Sequence, residues 1–106
     1  MTLKNDFSQD TRALFMFNNE CWWCHRNKWD AIHHILGRCS DSPLNAAPIH
    51  NVGCHLDNGI LGTFDKEVEM LAKTYWFLLT EGYIFTFKDK QFMKEHYEHY
   101  SEAGVL

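Results

Sequence analysis

Apolar residues recur at helical spacing most clearly towards the C-terminal half, where Val68, Leu71, Ala72, Tyr75, Leu78 and Leu79 share one face. Thr63 or Asp65 is a suitable N-cap for that helix, and Gly82 a suitable stop. Upstream the pattern changes. Residues 29–36 are aromatic and β-branched enough for a strand, residues 37–43 carry the chemistry of a loop, and a second strand is expected at about residues 45–50. From about Asn51 a helix is expected to carry Cys54, His55 and Asn58 until Gly59 and Gly62 end or bend it. The order is therefore β-β-α, a hairpin with a long loop followed by a helix. Tyr83-Ile84-Phe85-Thr86-Phe87 alternates imperfectly and reads as a short strand, after which Asp89 caps a final helix carrying Phe92, His96, Tyr97 and Tyr100. At the other end, Ser8-Gln9-Asp10 should cap a short helix running to about Phe17, with Asn18-Asn19 turning the chain onward. A hairpin followed by segregated helices is an α+β arrangement.

Length and composition narrow the class. The 106 residues show no repeat, low-complexity tract or linker, so one domain is expected over 1–106, with a motif core at about 20–60 and helical support at about 63–104. A hydrophobic fraction of 45% is that of a folded globule, and a core this small gains from an internal staple. No apolar run approaches the roughly 20 residues of a membrane span. The first residues lack the apolar stretch of a secretory signal, so the expected compartment is the cytoplasm. In a reducing compartment a close pair of cysteines with histidines nearby points to a metal site rather than to disulfides. The net charge of −4 counts against a partner bound through a basic surface, although bound divalent cations add positive charge that a residue count omits.

The cysteines supply the staple. Cys21-Trp22-Trp23-Cys24 presents two thiolates to one tetrahedral ion, and a structural zinc site needs a second pair from a distant segment. Cys54 and, four residues earlier, His50 supply that pair, giving Cys21, Cys24, His50 and Cys54. Cys39 competes for the fourth place, since its loop is free to fold back. The competing reading, four reduced core thiols, fits the high burial of free cysteine but leaves the spacing of the first pair unused.

A second group of residues suggests catalysis. Asp30-Ala31-Ile32-His33-His34-Ile35 places adjacent histidines on opposite faces of a strand, so that His33 and His34 have different jobs. His55 on the following helix converges with one of them, and Asn58 shares its face. The chemistry that fits is phosphodiester hydrolysis. A hard divalent cation such as Mg²⁺ or Mn²⁺ stabilises charge on the phosphate and the leaving 3′-oxygen. A neutral imidazole with a pKa of about 6.5 deprotonates the attacking water. A carboxamide or backbone carbonyl must orient that ring, and Asn45 is placed to do so.

Asp30 to Ile35, then Asn45, then Cys54-His55 resembles the His-Asn-His (HNH) endonucleases, in a zinc-knuckle variant, over about residues 20–60. The resemblance implies a small ββα-metal core. It assigns His34 as the general base, His33 as the strand ligand and His55 as the helical ligand of a catalytic cation, and Asn45 as the residue that braces the loop and orients the base. It also implies DNA as substrate, nicked or cleaved to leave a 5′-phosphate. The chain departs from the family at three points: Asn51 stands where a second Cys-x-x-Cys would place its first thiol, only Asp57 or Asn58 offers a further helical ligand, and the charge is acidic. Of the few cations near the site, Arg26, Lys28, Arg38 and Lys66, the expected phosphate contact is Arg38.

The rival function is a non-catalytic zinc-knuckle module that binds a protein or nucleic acid. Small size and the lack of an added DNA-recognition module suggest, by analogy alone, a phage or mobile-element nuclease in a bacterial host cell, acting with a packaging or replication protein. Trp22 and Trp23 are read either as base-stacking groups or as packing over the knuckle, and His96 and His99 as a solvated or packing face.

Overall fold

The computed structural model describes residues 5–55 and 63–106, with side chains throughout except at Val52 and His55. Ser8 caps α1 (Gln9–Leu14), its hydroxyl accepting from the Thr11 amide at 3.1 Å. The helix stops short of Phe17 because Phe15 leaves helical geometry and turns into the core, where its ring stacks on Phe77. Asn18 makes the turn that follows. Its side chain accepts from the Glu20 amide at 3.1 Å and donates to the Glu20 carbonyl at 2.7 Å.

Two short antiparallel strands, β1 (Ala31–His34) and β2 (Ala46–Ile49), form the hairpin, in the register Ala31↔Ile49, Ile32↔Pro48, His33↔Ala47 and His34↔Ala46. Both strands are shorter than their expected spans. Trp29 lies before β1 with its indole bonded to the Asn18 carbonyl, and Pro43–Asn45 forms a 3₁₀ turn leading into β2. The register sets an alanine opposite each histidine, so neither imidazole is crowded across the strands. Pro48 has no amide to give, yet its carbonyl accepts from the Trp22 amide at 2.9 Å and fastens the Cys21–Cys24 turn to β2.

β2 runs into a single π-helical turn, Asn51–His55. The helix expected to continue from it, with Asp57, Asn58, Gly59 and Gly62, falls outside the described residues.

The long helix is α2 (Phe64–Thr80), capped by Thr63, which accepts from the Lys66 amide. It closes at Glu81 and Gly82, the latter at φ 82°, where a residue without Cβ is favoured. Its inward face is Met70, Leu71, Thr74 and Leu78 rather than the full apolar stripe, and Leu79 is exposed. Thr74 is inside because its hydroxyl is satisfied twice, accepting from the Trp22 indole at 2.7 Å and donating to the Ala46 carbonyl at 2.8 Å. This one hydroxyl joins α2, the cysteine turn and β2.

Residues 83–86 are not a strand. Tyr83 turns its hydroxyl onto Asp89 and Phe85 stacks on Tyr75, so the aromatic run is spent on packing and no ladder forms. Phe87 already belongs to α3 (Phe87–Glu95), whose N-cap is Thr86. Asp89, expected as the cap, is instead the reciprocal member of a capping box. Thr86→Ala is therefore expected to lower stability by about 1 kcal/mol, measured by urea denaturation. The expected single final helix is broken at His96 into α3 and α4 (Tyr97–Glu102).

The core is built from Leu44, Ala46, Ala47 and Ile49 of the hairpin against Met70, Leu71 and Leu78 of α2, closed by Phe92 and Tyr100. The class is α+β, as the residue pattern implied. Among the described residues no helix is long and apolar enough to cross a membrane.

Candidate metal centre and imidazole site

The cysteine turn is shaped by its backbone. His25 and Lys28 take positive φ, the His25 amide donates to the Cys21 carbonyl at 2.9 Å, and Glu20 bridges Asn27. The turn points Cys21 and Cys24 towards the end of β2, where His50 and, after the π turn, Cys54 arrive. The four ligand atoms lie within 4.8 Å of one another. Cys21 Sγ and Cys54 Sγ are 3.7 Å apart, and His50 Nδ1 is 3.4 Å from Cys24 Sγ and 3.6 Å from Cys54 Sγ. Ligands about 2.0–2.3 Å from one tetrahedral ion stand about 3.5–3.8 Å from each other. The three closest separations are those of a tetrahedral set, and a small inward shift of the remaining ligand atoms lets Cys₃His hold one zinc-sized ion.

The electrostatics favour thiolate at one end of the set. Burial raises the Cys21 thiol, but backbone amides, that of Cys24 among them, outweigh this and bring it down to about 7. Burial pushes the Cys54 thiol up to about 12, with the neighbouring Cys21 and Cys24 sulfurs adding to the rise. Thiols held this close repel as anions, and a cation among them removes the repulsion.

The four residues expected as zinc ligands thus come together, and Cys39 does not join them. It is exposed, its sulfur 3.7 Å from the Leu36 carbonyl and 4.0 Å from His96 Nε2. Trp22 is buried and bonded to Thr74, which settles it as packing, while Trp23 lies beneath the Lys66 ammonium at 4.8 Å. His99 pairs with Glu67 at 3.2 Å, in keeping with a packing face.

The second site runs along β1. A cavity of about 260 Å³ is lined by Ala31, Ile32, His33, His34, Gly37, Arg38, Ile49 and Asn51. His34 is buried at 6% exposure, and its Nε2 lies 2.8 Å from the Asn5 carbonyl. A carbonyl only accepts, so Nε2 carries the proton and the neutral ring keeps Nδ1 as its acceptor. The Phe7 ring stacks on the imidazole with centroids 4.1 Å apart and planes 13° from parallel. Burial lowers the pKa of His34, the Asn5 carbonyl opposes the shift and Arg38 adds to it. The imidazole is consequently neutral, and able to take a proton, at neutral pH.

Asn45 braces the hairpin loop. Its Oδ1 accepts from the Leu36 amide at 2.9 Å, while Nδ2 donates to the Gly37 and Ser40 carbonyls at 2.9 and 3.0 Å. Arg38 stands at the cavity with its guanidinium 3.7 Å from Asp6, which also faces Arg12 at 3.7 Å. His33 borders the same cavity. The His55 side chain and Asn58 lie outside the described residues, so of the expected cation ligands only His33 is placed. Among the described residues the Cys₃His set is the one cluster of three or more metal-ligating side chains.

No residue pattern pointed to Asn5, Asp6 and Phe7, which enclose His34 and Arg38. Asn5 takes φ 54°, a left-handed conformation that asparagine tolerates better than most residues, and this is the only local mark of their role.

Comparison with protein-family models, with curated proteins and with solved structures gave no match to this chain.

Proposed function

We propose that the protein is a metal-dependent endonuclease of the HNH type, with a ββα-metal core stapled by zinc, that hydrolyses DNA phosphodiester bonds. The observation that carries this reading is His34: neutral, its Nε2 proton committed to a backbone carbonyl, in a cavity shared with His33 and Arg38, on a hairpin whose loop Asn45 braces and whose exit carries the Cys₃His set. In this scheme His34 Nδ1 removes a proton from water as the water oxygen bonds to phosphorus. The P–O3′ bond breaks, and the 3′-oxygen leaves and is protonated from solvent. Arg38 draws a non-bridging phosphate oxygen towards the cavity. His33 and, by the family resemblance, His55 would hold the divalent cation, which would offset negative charge on the phosphate.

The net charge of −4 favours a second reading, a zinc-knuckle binding module without catalysis. Supercoiled plasmid distinguishes the two. With Mg²⁺ or Mn²⁺ the wild type should nick it, and omission of the cation should stop the reaction. His34→Ala should be inactive, but it also leaves a void beside Phe7. His34→Gln is the cleaner variant, since its amide still donates towards Asn5 and accepts no proton. A loss of about 10²- to 10⁴-fold is expected, with zinc content and circular dichroism unchanged. Equal nicking by His34→Gln would remove His34 as the base, and no nicking by zinc-loaded wild type with either cation would favour the binding module.

A further inference from the structure

Neither strand explains why the His34 ring holds one tautomer and one plane. The partner of Nε2 is the carbonyl of Asn5, 29 positions away in sequence, and the partner of the ring face is Phe7, itself buried at 5% exposure. The segment between them is fastened on both sides. The Asn5 side chain donates to the Arg38 carbonyl at 2.7 Å, and the Asp6 carboxylate faces both Arg12 and Arg38. At φ 54° the Asn5 backbone is turned out of the extended path, and that turn aims its carbonyl at the imidazole.

We infer that Asn5 and Phe7 are positioning residues for His34, the Asn5 carbonyl fixing the Nε2–H tautomer and the Phe7 ring fixing the imidazole plane. The consequence for catalysis rests on the endonuclease reading, whereas the arrangement itself does not. It makes the segment before α1 a wall of the site, although no recognisable motif marks it. A general base whose ring is free to turn spends part of its time with the acceptor misdirected, and misplacement of about 1 Å costs up to about 100-fold in rate.

The test uses the full-length chain and three variants. In Asn5→Val the β-branched side chain resists positive φ, so the carbonyl swings away. Asn5→Gly accepts that φ while also lacking the Asn5 amide, and so separates the carbonyl's direction from the Arg38 tether. Phe7→Leu keeps an apolar side chain but removes the stacked ring. The readout is the nuclear magnetic resonance of the His34 imidazole in zinc-loaded protein, alongside plasmid nicking.

The Nε2 proton should be protected from exchange in the wild type and in Asn5→Gly, and lost to exchange with water in Asn5→Val. The His34 carbon-bound ring protons should move downfield in Phe7→Leu as the phenyl ring current disappears. In Asn5→Val kcat should fall about 10- to 100-fold with KM unchanged, and Asn5→Gly should restore it. A protected Nε2 proton in Asn5→Val, or unmoved ring protons in Phe7→Leu, overturns the inference. So does a loss of rate that merely follows the folded fraction. If the wild type nicks nothing, the endonuclease reading fails and the resonances still decide the positioning.

Discussion

Removal of metal from the Cys21, Cys24, His50 and Cys54 set is expected to unfold the hairpin end of the molecule, and Cys54→Ser to do the same without a chelator. The reason is one of scale. Binding of structural zinc is worth about 10–16 kcal/mol in small domains, as large as the whole stability of about 5–15 kcal/mol of an ordinary one. The cysteine turn has little else to hold it. Apart from Trp22 and the buried sulfurs, its residues are half-buried or exposed, and it reaches the rest through the Trp22 bonds to Pro48 and Thr74 and through ion pairs such as Lys73 with Glu20. Cys54 is the ligand to replace, because it is buried at 4% exposure and ties the exit of β2 back to residue 21. The purified protein should contain one zinc per chain. Its release, followed with a colorimetric chelator, should coincide with loss of dispersed amide resonances from the hairpin. Cys39→Ser should change neither quantity, because that thiol lies outside the set. A native spectrum in zinc-free protein would show that the metal does not hold the fold, and retention of one zinc by Cys54→Ser would remove Cys54 from the ligand set.

These four ligands were open to sequence reasoning because tetrahedral thiolate sites impose a short spacing on each side, and the structure decides between His50 and Cys39 for the last place. The β-β order and the long helix with its Thr63 cap and Gly82 stop were open for a similar reason, since each depends on local chemistry. Two kinds of feature were not. Residues 83–87 read as a strand by composition, yet a strand needs a partner edge, and these rings find Asp89 and Tyr75 instead. Thr74, polar in an apolar stripe, is buried only because Trp22 and Ala46 come from distant segments to meet its hydroxyl. The enclosure of His34 by Asn5 and Phe7 belongs to this second kind. Nothing short of the folded chain places a backbone carbonyl of residue 5 against the end of β1.

Asn45→Ala is expected to produce the largest loss of stability of any single substitution in the imidazole site, about 3–5 kcal/mol, and, on the proposed endonuclease reading, to abolish plasmid nicking with it. Asn45 is fully buried, and one carboxamide serves three backbone groups of the loop between the strands: the Leu36 amide and the carbonyls of Gly37 and Ser40. Alanine leaves all three without a side-chain partner. The three groups are partly buried, and each one stranded in this way costs up to about 1–3 kcal/mol, less whatever water regains as the loop opens. Asn45→Asp separates packing from hydrogen bonding, since a carboxylate still accepts from Leu36 but faces two carbonyls as an acceptor. It should lose nearly as much as alanine.

The effect on function follows from where the loop leads. It carries Arg38, whose carbonyl receives the Asn5 side chain, and so holds the segment that orients His34. Denaturant titration of Asn45→Ala against the wild type gives the stability term. Nicking measured well below the variant's unfolding midpoint gives the catalytic term, which should fall beyond the loss of folded protein. If nicking instead tracks the folded fraction alone, Asn45 serves the fold and has no separate hold on His34.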